Sequence, residues 1–143
     1  MNVARILKDK GRDVTTILPI LKIEEVIVVL AEKKIGAAVV CDADLRVAGI
    51  ISERDIVRIL AANGPAVLDE PVSKFMTKEV MTCVERDTVH WLMEEMTSRR
   101  FRHMPVVESG RLIGIVSIGD VVKQRIAVAE LEAASMREYI ATG

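Results

Sequence analysis

Two aspartates each stand three residues after a serine: Gly49-Ile50-Ile51-Ser52-Glu53-Arg54-Asp55 and Gly114-Ile115-Val116-Ser117-Ile118-Gly119-Asp120. A serine hydroxyl both donates and accepts, whereas an ionised aspartate only accepts. Before an apolar helix, Ser-x-x-Asp resembles a capping box, with the serine capping and the acid facing back to the helix start. Capping boxes favour Glu or Gln at the second position, yet both copies carry Asp. A helix N-terminus with free N–H groups is also a natural phosphate site. There Asp would repel phosphate but can accept two hydrogen bonds from a ribose diol, leaving Ser and the helix N–H groups to phosphate. Add apolar walls for a base, and the pattern suits a nucleotide with little need for aromatics.

Other reactive residues are sparse. Arg99, Arg100 and Arg102 follow a helical stretch over 88–98. Arg99 and Arg100 read as a solvated face; Arg102 enters a strand and suits a phosphate. Cys41 and Cys83 form no CxxC, and with His90 and His103 they are too scattered for a zinc site. A reducing compartment fits them. There is no P-loop, no recognisable Ser-His-Asp order and no carboxylate pair divided into acid and base, so no enzyme is expected. The net charge of −1 gives no electrostatic reason to expect nucleic acid, and no basic stripe carries interleaved aromatics. The start, MNVARILKDKGRD, lacks a signal-type apolar run, and IEEVIVVLAEKK is too short to span a bilayer. A soluble, cytoplasmic protein without membrane contact is the expectation.

The elements that must position these residues come in two copies. Val14-Thr15-Thr16 matches Val80-Met81-Thr82, 66 residues later. Ile23, Val26, Ile27 and Leu30 match Val89, Leu92, Met93 and Met96, each set on one helical face. GAAVVCD (36–42) matches RHMPVVE (102–108) as strands; the loop after it is one residue shorter in the second copy. A helix follows each Ser-x-x-Asp, so each unit reads β-α-β-β-α. One such unit buries too little surface to stand alone, so two should share a core. Half of the residues are hydrophobic but only 3% aromatic, so that core is aliphatic. The boundaries are an N-terminal helical segment over 1–12, repeats over 13–64 and 78–127, a linker over 65–77 with PVSKFMT as a helical turn, and a helical extension over 128–143. In the extension Val122, Ile126, Ala129, Ala133, Met136 and Ile140 form a heptad-like stripe. It either packs back on its own domain or makes a dimer contact. Val28 and Val29 widen the apolar face of the first repeat's helix and Trp91 flanks the second's, which favours dimerisation.

These tandem units, with GIISERD and GIVSIGD closing each second strand, resemble a pair of cystathionine β-synthase (CBS) domains, a Bateman module, over residues 13–127. RRFRHMPVVESGRLIGIVSIGDVV is similar to the second repeat of small bacterial stand-alone proteins of this type. The resemblance implies an α+β fold: two repeats packed sheet to sheet about a pseudo-two-fold axis, with an extended C-terminal helix. It implies a non-catalytic regulatory module binding AMP, ADP, ATP, NAD(H) or an S-adenosyl compound between the repeats, acting as an energy or redox sensor for an unknown partner protein, commonly as a homodimer. By motif, Asp55 and Asp120 would hold ribose, Ser52 and Ser117 would lie near phosphate, and Thr16 and Thr82 would approach the base. Arg102, His103, Met104 and Pro105 would line the second site, with Met104 against the base. Gly119 permits close backbone approach there, whereas the first repeat has Gly36-Ala37 in place of Arg102-His103 and adds Glu53. The Asp120 site is therefore expected to bind more tightly. The alternative is a protein-interaction module in which both Ser-x-x-Asp motifs serve only as caps.

Overall fold

A computed structural model describes residues 1–142. Helix α1 (Val3–Lys10) precedes the first unit: β1 (Thr16–Ile17), α2 (Ile23–Lys33), β2 (Ala37–Cys41), β3 (Val47–Ser52) and α3 (Glu53–Asn63). Two 3-10 turns, Pro65–Asp69 and Val72–Lys74, lead to the second unit: α4 (Val89–Arg99), β4 (His103–Glu108), β5 (Arg111–Ser117) and α5 (Ile118–Thr142). Pro71 sits just ahead of the second turn rather than inside it.

The first sheet runs β1-β2-β3, parallel then antiparallel, and the second is the antiparallel pair β4-β5. The second unit's first strand is reduced to one parallel bridge, Cys83 to Val106. Its register is that of Ile17 with Val40 in the first unit, 66 residues earlier at both partners. The two hairpins also shift register at matching places, Val40/Cys41 and Val106/Val107. The duplication read from sequence is therefore a duplication of backbone geometry.

Apolar periodicity explains the layers. α2 buries Ile23, Val26 and Leu30, and α4 buries Val89, Leu92 and Met96, one turn apart along a single face. The first core adds Ala38 and Val40 of β2, Ile51 of β3 and Ile56 of α3. The second adds Met104 and Val106 of β4, Val116 of β5 and Val121 of α5. Side chains on the opposite strand faces, Val39 and Cys41 of β2 and Leu112 of β5, pack the two sheets together. Strand alternation thus gives each sheet one face for helices and one for its twin. Each fully buried aliphatic side chain contributes about 1.5–3 kcal/mol.

The segments outside the two units trade places. Val3, Ile6 and Leu7 of α1 are buried in the second unit's core. Val72 of the connector, with Leu68, Phe75 and Met76 around it, completes the first unit's core. This crossing explains the glycine repeated before each Ser-x-x-Asp. A Cβ on Gly49 would sit 2.5 Å from Met76 Sδ and 2.9 Å from the Thr77 carbonyl oxygen; one on Gly114 would sit 2.8 Å from Leu7 Cδ2. Each glycine lets the crossing segment lie directly on the strand.

α5 is longer than its counterpart α3, with 25 residues against 11. Its stripe does not fold back: Val122, Ile126, Met136 and Ile140 are exposed by 43, 53, 60 and 70%. Among the described residues no helix is long and apolar enough to cross a membrane.

Candidate functional site

β3 and β5 each run straight into a helix, and the turn is closed the same way twice. Ser52 Oγ accepts the Asp55 N–H at 3.1 Å, and Asp55 Oδ2 accepts the Ser52 N–H at 2.8 Å. Ser117 and Asp120 repeat these bonds at 3.2 and 2.9 Å. Both capping boxes are present, with Asp in the place where Glu or Gln is usual. The first helical N–H is also consumed: Glu53 donates to Gly36 O at 2.9 Å and Ile118 to Arg102 O at 2.8 Å. Two of the first three N–H groups of each helix are thus taken by the protein. Helix N–H groups are accordingly poor phosphate donors here, contrary to the sequence expectation. The cap engages only Oδ2 of Asp55, and a hydroxyl that accepts still has its own proton to donate. Capping therefore leaves Ser52 a donor and Asp55 Oδ1 an acceptor.

A cleft of about 640 Å³ opens between the units at the start of α3. It is lined by Ser52 and Asp55 of the first unit and Ser117 of the second. Ile50, Val80, Met81, Phe101 and Ile118 supply apolar wall. Arg54, Arg58, Arg99, Arg100 and Arg102 face Glu53, Asp55 and Glu79, five cations against three carboxylates. Arg99 is tethered by its Nε to Glu95 Oε2 at 2.8 Å, one turn back on α4. In a chain of net charge −1 this excess is local. The volume suits a small molecule; an apolar wall, two hydroxyls, a carboxylate and several guanidinium groups suit an anion with a sugar-like diol and a flat apolar part.

His103 stands where the two units meet. Its ring lies about 3.7 Å from the place a Gly36 Cβ would take, as does Glu53 Oε1. Burial lowers its pKa below the ordinary 6.5, helped by the Lys10 and Arg102 charges and opposed by Asp120 and Glu53. His103 is therefore a neutral imidazole near pH 7.

Asp120 lies elsewhere. Lys10, the last residue of α1, donates from Nζ to Asp120 Oδ2 at 2.7 Å and to the Ile115 carbonyl at 3.0 Å. Burial pushes the Asp120 carboxyl up, but Lys10 and the Ser117 N–H outweigh it, and the pKa falls below 3.8. Asp120 is not on the wall of the open cleft. The expectation that it marks the better site meets a carboxylate already ion-paired, while Asp55 lines the cleft described above.

The structure thus brings Ser52, Asp55, Arg102, His103 and Ser117 together. Thr16 is exposed on β1 and Thr82 half-buried, and neither lines the cleft. Met104 is fully buried in the second core, so it does not face a base as expected: strand alternation sends it, with Val106, to the helical face. Pro105 is buried too, its carbonyl accepting the Cys83 N–H at 3.0 Å. Gly119 is exposed beside Ser117. Sequence reasoning missed Arg54, Arg58, Met81 and Phe101, and read Arg99 and Arg100 as solvated. Arg54 and Arg58 carried a signal, a basic pair one helical turn apart directly behind Ser52. Among the described residues no cluster of His, Cys, Asp and Glu could hold a metal ion.

Residues 4–62 and 72–126 each match the CBS domain. The fold is similar to a CBS-domain-containing protein from Agrobacterium tumefaciens: TM-score 0.84, 52% identity, 87% of this chain and 99% of that one. It is similar to a CBS domain protein from Pyrobaculum aerophilum, complexed with AMP: TM-score 0.79, 30% identity, 93% of this chain and 99% of that one. It is also similar to a CBS domain pair complexed with 5'-methylthioadenosine and S-adenosyl-L-methionine: TM-score 0.79, 25% identity, 89% of this chain and 97% of that one. The chain spans 71, 32 and 57% of three curated relatives' lengths. Its two matched units, built on one backbone plan, make the chain a member of the CBS-domain family with the domain in tandem.

Proposed function

We propose that this CBS pair is a non-catalytic regulatory module that binds an adenine nucleotide in the Asp55 cleft. The observation that carries the reading is the convergence of Asp55, Ser52 and five arginines on one cleft with an apolar wall. Asp55 Oδ1 accepts the ribose diol, Val80, Met81 and Phe101 face the base, and the arginines take phosphate. Complexes of similar CBS pairs with AMP and with S-adenosyl compounds support the adenosine part. The local positive charge favours the phosphate esters AMP, ADP, ATP or NAD(H) over the cationic sulfonium. The module signals, as a homodimer in the cytoplasm, to a partner protein.

Calorimetric titration of AMP, ADP, ATP, NAD, NADH and S-adenosylmethionine tests this. The expected outcome is saturable binding of at least one phosphate ester, tighter than that of the sulfonium. No binding of any of them, with a specific protein captured instead, would favour the second reading, an interaction module. The exposed apolar stripe on α5 is the observation on that side.

A further inference from the structure

The two Ser-x-x-Asp turns meet different neighbours, and at the second the neighbour is a cation that the sequence places outside both units. The 66-residue shift sets Lys10 opposite Met76. In the first unit Met76 packs on Gly49, and the next residue, Thr77, forms a bridge with Ile50, its N–H donating to the Ile50 carbonyl at 2.9 Å. In the second unit α1 ends at Gly11, with φ +97°, and no backbone N–H takes that place. Lys10 Nζ does so instead, at 3.0 Å from the matching Ile115 carbonyl. The same ammonium reaches Asp120 Oδ2 at 2.7 Å, with both side chains mostly covered, 32 and 22% exposed. α1 is itself held down, by its buried apolar face and by Gln124 Nε2 donating to Asp9 Oδ2 at 3.0 Å.

We infer that Lys10 is an internal occupant at Asp120, so that each chain takes one nucleotide, at Asp55, and a ribose reaches Asp120 only when Lys10 withdraws. This rests on the nucleotide reading above. A diol and an ammonium both donate to the ionised Asp120 carboxylate, but only the ammonium adds the attraction of an opposite charge in a mostly covered pair. Displacing Lys10 also strips the Ile115 carbonyl of its donor. The Asp55 cleft has no such competitor, since Met76 carries no charge. The N-terminal helix thus makes the two aspartates unequal although their caps are alike.

Calorimetric stoichiometry with ADP as the probe tests it on the full chain. Lys10→Met keeps the aliphatic stem and installs the residue type of the first unit. The expected result is one equivalent for the wild type, two for Lys10→Met, and one again for Lys10→Met/Asp120→Ala. Lys10→Gln, also expected to bind two, replaces Lys10→Met if circular dichroism shows that variant unfolded. One equivalent in both wild type and the Lys10 variant overturns the inference and leaves the nucleotide reading standing, as does two equivalents in the wild type. No binding of ADP in either, nor of AMP, ATP, NAD or NADH, overturns the nucleotide reading and the inference with it.

Discussion

Asp55 has two oxygens, and the cap engages one of them. Oδ2 closes the cap on α3, and Oδ1 is left for a ligand. A serine and an acid at this spacing therefore give no choice between cap and ligand contact, which is why the sequence could not decide between them. His103 gives the residue scale a pH prediction. Its pKa lies below 6.5, first because of burial. A nearby phosphate favours the imidazolium, so ligand binding raises that pKa and takes up a proton. Affinity is then greatest below the ligand-free pKa and falls as pH rises through it to the ligand-bound value. Folding works the other way: a depressed pKa contributes stability above 6.5 that is lost as pH falls through the folded value. Titrations and melts between about pH 5 and 8 should show both slopes, and His103→Ala should flatten both. A wild-type affinity independent of pH would remove His103 from the phosphate's surroundings.

At the level of elements, the β-α-β-β-α duplication was legible because hydrophobic period and turn chemistry are local and occur twice. The reciprocal crossing of α1 and the connector was not. It depends on contacts between residues such as Leu7 and Gly114, far apart in sequence, which leave no periodic trace. The repeated glycine was its only visible mark. Gly49→Ala should cost about 1–3 kcal/mol by denaturant unfolding, since the new methyl meets the Thr77 backbone as well as Met76. Gly114→Ala should cost less, because only the flexible end of Leu7 must move. Equal losses, or a larger one at Gly114, would contradict the crossing as described. The same non-locality hid the arginine cleft. On one helix Arg54 and Arg58 look like solvated charge, and only the fold brings Arg100 and Arg102 of the other unit opposite them.

Across the whole molecule, α5 leaves an apolar stripe in solvent with a heptad-like spacing. Such a stripe is the usual seam of paired helices. Sedimentation at micromolar concentration should show a dimer, weakened in a chain ending at residue 127; a full-length monomer would exclude a homodimer. The two units share a plan, and the sequence ranked the Asp120 site first on Arg102-His103, Gly119 and the absence of a Glu53 counterpart, a comparison that could not include Lys10. The contact between Lys10 and Asp120 spans almost the whole chain. The most direct test of the account titrates the tightest-binding adenine nucleotide into Asp55→Ala and Asp120→Ala beside the wild type. Affinity should fall at least about tenfold in Asp55→Ala, the loss of a charge-assisted ribose contact, and by less in Asp120→Ala. Binding kept in Asp55→Ala and lost in Asp120→Ala would place the ligand at Asp120 and contradict the account at its centre.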